Sequence, residues 1–588
     1  MLSKTRLLIS RMTFIPPGEN IIEKKICRIS WQEFFVTDKD LEFYDQISPI
    51  FWWKKYSIPS PTLCPDERQK RRLVFRNERK LYKRKCDKTG QEMISVYSPE
   101  KLYTIYEQKI WWGDDWSPME YGRDFDFERP FFDQFQALYA ETPKMNLYHQ
   151  LKNENSEYSH LSSSNKDCYL IAAWNDNEDC YYDTYIQRSR WVIDSCFVFD
   201  VENCYSCVDC KNCFQAYFCE SCADCRDIQH AQDCQSCKDC FCCSWLINKQ
   251  YCILNKQFSK EQYHDIITDE TKKEQARSLY RALCQKTPKK FMKWFNNESV
   301  TGDYVHFSKN SFHNFDCTYL ENSKYNTWFH KAQNCYDNYG WWLPAEFCYE
   351  NQLVGNAAYN VCFSFSCAGN ISDVYYSMDC DGIKNCFGCS SLKKTHHCIL
   401  NKTYSIQEYE ILCGNIIDHM KSTGEWWEFF PHELSPFAYN ETVANEYFPM
   451  TEEEVRKKGW KWYDGESKNM YIGTHYTPLP ILQYDERVIW FDTATKNINE
   501  CLNWIIQCEI TGKPFKIIKQ ELAFYIENWI PIPTKHPDQR HKERMDLRNP
   551  RKLYERACAE CQKEIITTYS PDRPEKVVCE ECYRKLVY

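Results

Sequence analysis

Between residues 168 and 252 sixteen cysteines occur, and fourteen of them stand at positions divisible by three; only Cys196 and Cys242 leave that phase. The stretch NCYSCVDCKNCFQAYFCESCADC (203–225) alone holds seven. A period of three is neither the 3.6 of an α-helix nor the 2 of a β-strand, so neither element alone gathers these side chains on one face. A second spacing offers a cause. Cys204, Cys222 and Cys240 recur at i, i+18 and i+36, as do Cys207, Cys225 and Cys243, and later Cys362, Cys380 and Cys398. A coil of about 18 residues would stack such positions at the ~4.8 Å spacing of paired strands. Asp or Asn often precedes the cysteine, as at Asp209 and Asn212, and both tolerate corners. Ala216, Ile228 and Ala231 fill gaps in the phase, as small or apolar inward residues would. The expected fold is mainly β with α: a Cys-rich β-solenoid with coils of about 18 residues.

The pattern occurs in two blocks. CFCCSWLINKQYCILNKQFSKEQY (240–263) matches CFGCSSLKKTHHCILNKTYSIQEY (386–409) at an offset of 146. Each ends in a capping-box start, Ser259-x-x-Gln262 and Ser405-x-x-Glu408, that opens a helix suited to capping a coil end. The two chain ends are also duplicates. PDERQKRRLVFRNERKLYKRKC (65–86) answers PDQRHKERMDLRNPRKLYERAC (537–558), and LEFY (41–44) answers LAFY (522–525). The expected organisation is an N-terminal tail (1–20), a degenerate zinc-ribbon-like unit (21–112), a connector (113–160), solenoid block 1 (161–256), a helical cap (257–300), block 2 (301–402), a helical cap and linker (403–500), and a C-terminal zinc-ribbon unit (501–588).

The second duplicate carries the strongest chemical signal. Cys558-x2-Cys561 and Cys579-x2-Cys582 supply four thiolates as two knuckles, the soft tetrahedral set that a structural zinc requires. One zinc is the cofactor expected. In the first duplicate Cys86 matches Cys558, but Thr89, Glu107 and Ile110 replace the other three ligands. Each duplicate keeps two ligands of a further knuckle pair, Cys27 with Cys64 and Cys508 with His536, whose completing positions read Ser30 and Glu67, or Thr511 and Gln539. Two ligands hold a metal only weakly.

For the cysteines of the middle three uses compete. As core filler, Cys is a small hydrophobe that packs a tight coil. As metal ligands, Cys219/Cys222 with Cys234/Cys237 have knuckle-like spacing. As a redox system, stacked thiols come within bonding range. Core filler is the expectation, since few Lys or Arg surround them to favour thiolates.

The chain carries a formal net charge of -9, only 16 glycines and no apolar run long enough to span a membrane. It has no Gly-rich phosphate loop, so no nucleotide cofactor is expected, and no membrane partner. With no secretory signal pattern, a cytoplasmic location and reduced thiols are expected. The one basic run, 66–88, has eleven Lys or Arg against four acids, and Arg68, Arg71, Arg72, Arg76, Lys83 and Arg84 are candidate phosphate contacts. Catalytic sequence constellations are lacking. His396-His397 reads as a packed or exposed pair. The acidic, aromatic YGRDFDFERPFFDQF (121–135), with Asp124, Asp126 and Asp133, reads as a connector whose Phe125 and Phe127 anchor on the first coil.

YGRDFDF, NKDCYL (165–170), the cysteine triplets, CILNK followed by S-x-x-[EQ]-Y, SPFAYNETVANEYFP (435–449) and the closing CxxC pair together span nearly the whole chain. In these motifs it resembles a family of Cys-rich zinc-ribbon proteins encoded by small-genome candidate-phylum bacteria. The resemblance implies no particular activity. Some relatives carry a CaiB/BaiF CoA-transferase name, which would require a Gly-rich doubly wound domain absent from this sequence. Ser30, Glu67 and Thr89 depart from the fuller knuckle pattern of those relatives. The function expected is a non-enzymatic, zinc-binding scaffold or interaction protein. A nucleic-acid-binding protein using 66–88 is the first alternative, and a thiol or metal store or an unrecognised enzyme the second. The partner expected is a protein or a nucleic acid.

Overall fold

The computed structural model describes residues 14–148, 152–340, 344–355, 357–465, 474–476 and 498–587. Residues 1–13 of the expected tail, and 466–473 and 477–497 of the expected cap and linker, lie outside them. Among the described residues there are thirteen α-helices, an eight-stranded sheet from Glu178–Tyr181 to Lys256–Gln257, and a ten-stranded sheet from Trp294–Phe295 to Lys402–Thr403. Both large sheets are mixed, parallel throughout except for an antiparallel last strand. The molecule is a large mixed α/β fold. The expected β-solenoid, in two blocks of 18-residue coils with helical caps between zinc-ribbon-like flanks, is not its architecture.

The strand register overturns the i to i+18 spacing. Neighbouring parallel strands pair residue i with residue i+12: Glu178 with Arg190, Arg190 with Glu202, Glu202 with Phe214, and Phe214 with Arg226. Cys204 therefore lies beside Ala216, then Ile228, then Cys240. A step of i+18 is one and a half such offsets, so Cys204 and Cys222 belong to different inward columns of the same core. Both steps are multiples of three, which is why the cysteine phase survives either reading. In the ten-stranded sheet the offset widens to i+13 from Ala332↔Ala345 to Ala358↔Ile371 and returns to i+12 at Ser372↔Lys384.

The three-residue unit has a backbone cause. The residue before each inward side chain turns through the left-handed region, as at Asn203 (φ 53°), Ser206 (52°), Asp209 (56°) and Asn212 (51°). That conformation costs an L-residue about 1–2 kcal/mol, least for Asn and Asp, hence their frequency at these corners. Bulky residues occupy other corners, among them Tyr185, Phe197 and Phe218. Contact with the ring of residue i+12 offsets part of their cost: Phe218 stacks on His230 at 4.8 Å and Phe307 on Tyr319 at 4.9 Å, and Tyr185 packs tilted against Phe197 at 4.7 Å.

Each step also distributes its three N–H groups in a fixed way. The first donates to the carbonyl of residue i+11 (Cys196 N to Cys207 O, 2.9 Å), and the corner donates to that of residue i−13 (Asp209 N to Cys196 O, 3.1 Å). The third, on the inward residue, turns to the side chain of the preceding inward residue in its own column, at i−12. Cys207 N donates to Ser195 Oγ, Asn338 N to Asn326 Oδ1, and Cys237 N to the Cys225 sulfur at 3.4 Å. The inward side chain in turn donates to the carbonyl of residue i+9, as Cys207 does to Ala216 O (3.2 Å) and Asn177 to Ile186 O (3.0 Å). Cysteine suits this position because it is small and apolar yet carries a weak donor and a weak acceptor. Burial pushes the inward Cys317 thiol up to about 12, so it is held as a thiol.

The chain divides into two compact units, described separately. One comprises the described parts of Met1–Leu147, Lys290–Tyr463 and Pro550–Cys582; the other those of Tyr148–Lys289, Asp464–Asn549 and Tyr583–Tyr588. In the first, helix Pro65–Leu73 docks on the ten-stranded ladder: Arg68 Nη2 lies 2.8 Å from Asp337 Oδ2, and Arg72 Nη2 lies 3.4 Å from Asp337 Oδ1. Phe43 stacks on Tyr336 at 3.9 Å. In the second, helix Pro537–Asp546 does the same on the eight-stranded ladder. Arg540 and Arg544 converge on Asp194, and Arg548 Nε reaches Asp209 at 3.1 Å. Asp337, Asp194 and Asp209 are all left-handed corners. The same helix of each sequence duplicate thus grips the corner carboxylates of a different ladder.

Removing a corner carboxylate should leave buried guanidinium groups unpaired. Asp194→Ala or Asp337→Ala is expected to cost about 3–5 kcal/mol in urea unfolding, whereas Lys24→Ala, which breaks the exposed Lys24–Glu33 pair, should cost well under about 1 kcal/mol. The inward, fully buried Asp183 accepts from Ser195 N through Oδ1, while Oδ2 has no partner. Burial raises its carboxyl well above the ordinary 3.8. Above that ordinary value the unfolded chain ionises freely while the folded chain must keep the proton, so stability falls as pH rises toward the raised value. Asp183→Asn should remove this penalty, and its advantage over the parent in chemical denaturation should be larger at pH 8 than at pH 5.

Candidate metal centre

The hairpin Tyr554–Ala557/Glu564–Thr567 ends in a tight knuckle at Cys558, where Cys558 N donates to Lys563 O (2.8 Å) and Gln562 N to Cys558 O (3.0 Å). Val577–Val578 brings the chain back beside it, with Ala559 N donating to Val577 O at 2.9 Å, and Cys579 precedes helix Glu580–Val587. Cys579 N then donates to the Cys558 sulfur at 3.3 Å. The ligand atoms of Cys558, Cys561, Cys579 and Cys582 all lie within 4.8 Å of one another, and this is the one such group of three or more His, Cys, Asp or Glu among the described residues.

The donor set fits a tetrahedral cation. Bonds of about 2.3 Å place the sulfurs of a tetrahedron ~3.8 Å apart, and Cys561 and Cys579 are separated by 3.7 Å. Burial raises the Cys558 thiol, but the N–H groups of Cys561, Cys579 and Glu560 and the Cys561 side chain outweigh it and bring the thiol down to about 6. Cys582 is pushed up to about 12 by desolvation and by its hydrogen bonds to the other three sulfurs. The four sulfurs are poised to coordinate one metal ion here.

The same knuckle recurs at three further places, each followed by a helix whose first residue faces the sulfur. At Cys86, Gly90 N donates to Cys86 O and Cys86 N to Gln91 O, both at 2.8 Å, and Glu107, which caps helix Gln108–Trp112, donates its N–H to the sulfur at 3.3 Å. Glu107 thus stands where Cys579 stands in the metal centre. At Cys27 the facing residue is Cys64, the N-cap of helix Pro65–Leu73, and Ser30 Oγ lies 3.5 Å from its sulfur. At Cys508 it is His536, the N-cap of helix Pro537–Asp546, while Thr511 N donates to the Cys508 sulfur at 3.5 Å. The structure therefore brings Cys27 to Cys64 and Cys508 to His536, but neither pair joins a cluster of three ligands. Sequence spacing located all four knuckles' residues yet missed that they are four versions of one site.

Other candidate residues are placed as follows. Arg68, Arg72 and Arg76 are buried, Arg71 pairs with Glu350 and Glu428 (both 2.6 Å), and Arg84 pairs with Asp87 at 3.2 Å; of the six basic candidates only Lys83 is exposed. The thiols of Cys219, Cys222, Cys234 and Cys237 donate to backbone carbonyls. His396 and His397 face each other at 2.9 Å on the surface, and Asp124 pairs with Lys402 at 2.6 Å. Phe125 and Phe127 pack on His419 of helix Ile406–Thr423, a correction to the expected anchorage on the first ladder.

No protein-family model matches this chain, and no curated protein matches it. Among solved structures a similar chain is described as a "putative acetyltransferase from Desulfovibrio desulfuricans G20". It is 7% identical, with a TM-score of 0.10, over 38% of this chain and 65% of that one. So distant a likeness carries no argument for fold or activity.

If the four knuckles share one geometry, the ligand set alone decides which of them holds metal. Ser30→Cys with Glu67→Cys should therefore create a second four-sulfur site, raising the bound metal by one ion per chain in elemental analysis. The same exchange made at Arg28 and Lys70, off the ligand positions, should add none.

Proposed function

We propose that the protein is a non-enzymatic scaffold or interaction protein whose C-terminal ribbon is held by one structural zinc. The closed set of four sulfurs carries this reading. With every coordination position filled by protein, the ion stabilises the fold and offers no site for chemistry. Through Phe291 N, which donates to Val578 O at 3.0 Å, and Lys290, paired with Glu580 at 2.7 Å, the centre also ties the ribbon to the segment leading into the ten-stranded sheet. Contact surfaces for a protein partner are supplied by tryptophans held out from the fold, with Trp31 at 80% and Trp53 at 92% exposure. The free state of the cysteines fits a reducing, cytoplasmic setting. No helix among the described residues is long and apolar enough to cross a membrane.

Metal analysis of the purified full-length chain tests the reading. One zinc per chain is expected, lost in Cys558→Ser together with protection of the ribbon amides from hydrogen exchange. Several metals per chain, or a metal whose loss abolishes a turnover while the fold stays intact, would overturn it. Retention of RNA or single-stranded DNA with an affinity that falls steeply with salt would favour the nucleic-acid alternative instead.

A further inference from the structure

The knuckle at Cys27 differs from its three counterparts in facing a second cysteine without a complete metal set. Cys27 N donates to Gln32 O at 2.8 Å and Trp31 N to Cys27 O at 3.0 Å, the same turn that presents Cys558 to its metal. Cys64 stands at the head of helix Pro65–Leu73, where Cys579 stands before its own helix. The Ser30 hydroxyl, 3.5 Å from the Cys64 sulfur, occupies the third ligand position. The fourth belongs to Glu67, whose carboxylate oxygens both lie 3.4 Å from Lys70 Nζ and are committed there. The Cys64 backbone N–H donates to the Cys27 sulfur, so the two cysteines meet in a frame of the kind that holds the four sulfurs of the C-terminal cluster, with Ser30 and Glu67 in place of the other two cysteines.

The ladder cysteines are placed differently. Their thiols donate to backbone carbonyls on the inside of the sheets, as Cys210 does to Val208 O and Cys213 to Lys211 O. The partner of Cys64 is instead the Ser30 hydroxyl on the exposed turn Arg28–Trp31, which covers two buried sulfurs, Cys27 at 0% and Cys64 at 1% exposure.

From this geometry we infer that Cys27 and Cys64 form an oxidisable thiol pair that closes to a disulfide in the place where the C-terminal ribbon carries its metal. With hydrogen peroxide as oxidant the steps balance. The Cys27 sulfur attacks one peroxide oxygen, the O–O bond breaks, and the sulfur becomes a sulfenic acid as water leaves with the thiol proton. The Cys64 sulfur then attacks the Cys27 sulfur, the S–O bond breaks, and a second water leaves carrying the Cys64 proton. Two thiols are oxidised to one disulfide and one peroxide is reduced to two waters. The bond would fasten the strand Ile21–Ile26 to the helix that carries Arg68 and Arg72, fixing the clamp on Asp337. In a reducing compartment such a bond is transient, as a regulatory disulfide is.

The test uses the full-length, zinc-loaded chain treated with a few equivalents of hydrogen peroxide, alkylated under denaturing conditions and mapped by peptide mass spectrometry. A linked Cys27–Cys64 peptide should appear before any ladder cysteine is oxidised, vanish on adding a thiol reductant, and be absent in Cys64→Ser. In that variant Cys27 should instead be trapped as a sulfenic acid by dimedone. If both peptides remain fully alkylated while other cysteines oxidise, or if Cys27 links to a different cysteine in the parent chain, the inference fails. The map of the parent chain decides this even where the variant does not fold.

Discussion

The inward N–H group of each three-residue step is the constraint on which the two ladders depend. Its neighbours along the chain find carbonyls on the adjacent strand, but it points into the narrow interior, where water cannot follow. A purely hydrocarbon interior would leave many such donors bare at a cost of about 1–3 kcal/mol each. Cysteine, serine and asparagine meet the need to different degrees. Asn314, Asn326, Asn338 and Asn351 do so with full amide hydrogen bonds, and the cysteine columns with weaker sulfur contacts that preserve the apolar character of the core. The density of cysteine thus answers a backbone problem, and the one four-sulfur cluster among the described residues lies in a hairpin built on other rules.

The corners supply the second organising contact. A left-handed turn favours Asp and Asn for steric reasons, and the aspartates among them then project carboxylates from the ladder wall. The duplicated helix reads that wall through guanidiniums one helical turn apart, Arg68 and Arg72 in one unit, Arg540 and Arg544 in the other. Such pairs need each other. Buried and multiply bonded they specify how helix and ladder fit, although an isolated buried ion pair adds little net stability. Within the basic run at 66–88, Arg68, Arg71 and Arg72 have this inner role, facing Asp337 and Glu350.

Much of the site was legible before the fold was. The four cysteines at 558–582 are close in sequence and their chemistry is specific, so spacing was enough. The three-residue phase and the Asp/Asn corners were legible too, because both arise within a few residues. The i to i+12 register was not. It is a contact between strands, and the cysteine gaps at Ala216 and Ile228 hid it. The i to i+18 recurrence of cysteine marked composition along the chain and not its stacking. The role of the arginines also escaped, since the carboxylates they meet lie hundreds of residues away. The one local hint was that Arg68, Arg72 and Arg76 all recur in the second duplicate while their exposed neighbour Lys83 becomes Glu555.

The stretch of the ten-stranded ladder with the wider offset shows how such a wall can change length. The offset of i+13 holds over three successive pairings, Ala332↔Ala345, Ala345↔Ala358 and Ala358↔Ile371, and the pairings on either side keep i+12. An ordinary sheet fixes its register from end to end, because a slip of one residue exchanges its two faces. Here three residues make a side and each corner resets the direction of the chain, so an insertion is contained between two corners. A wall of this kind can therefore differ in length from level to level, as the i+12 and i+13 pairings of the ten-stranded sheet do, while the clamp at Asp337 stays in place.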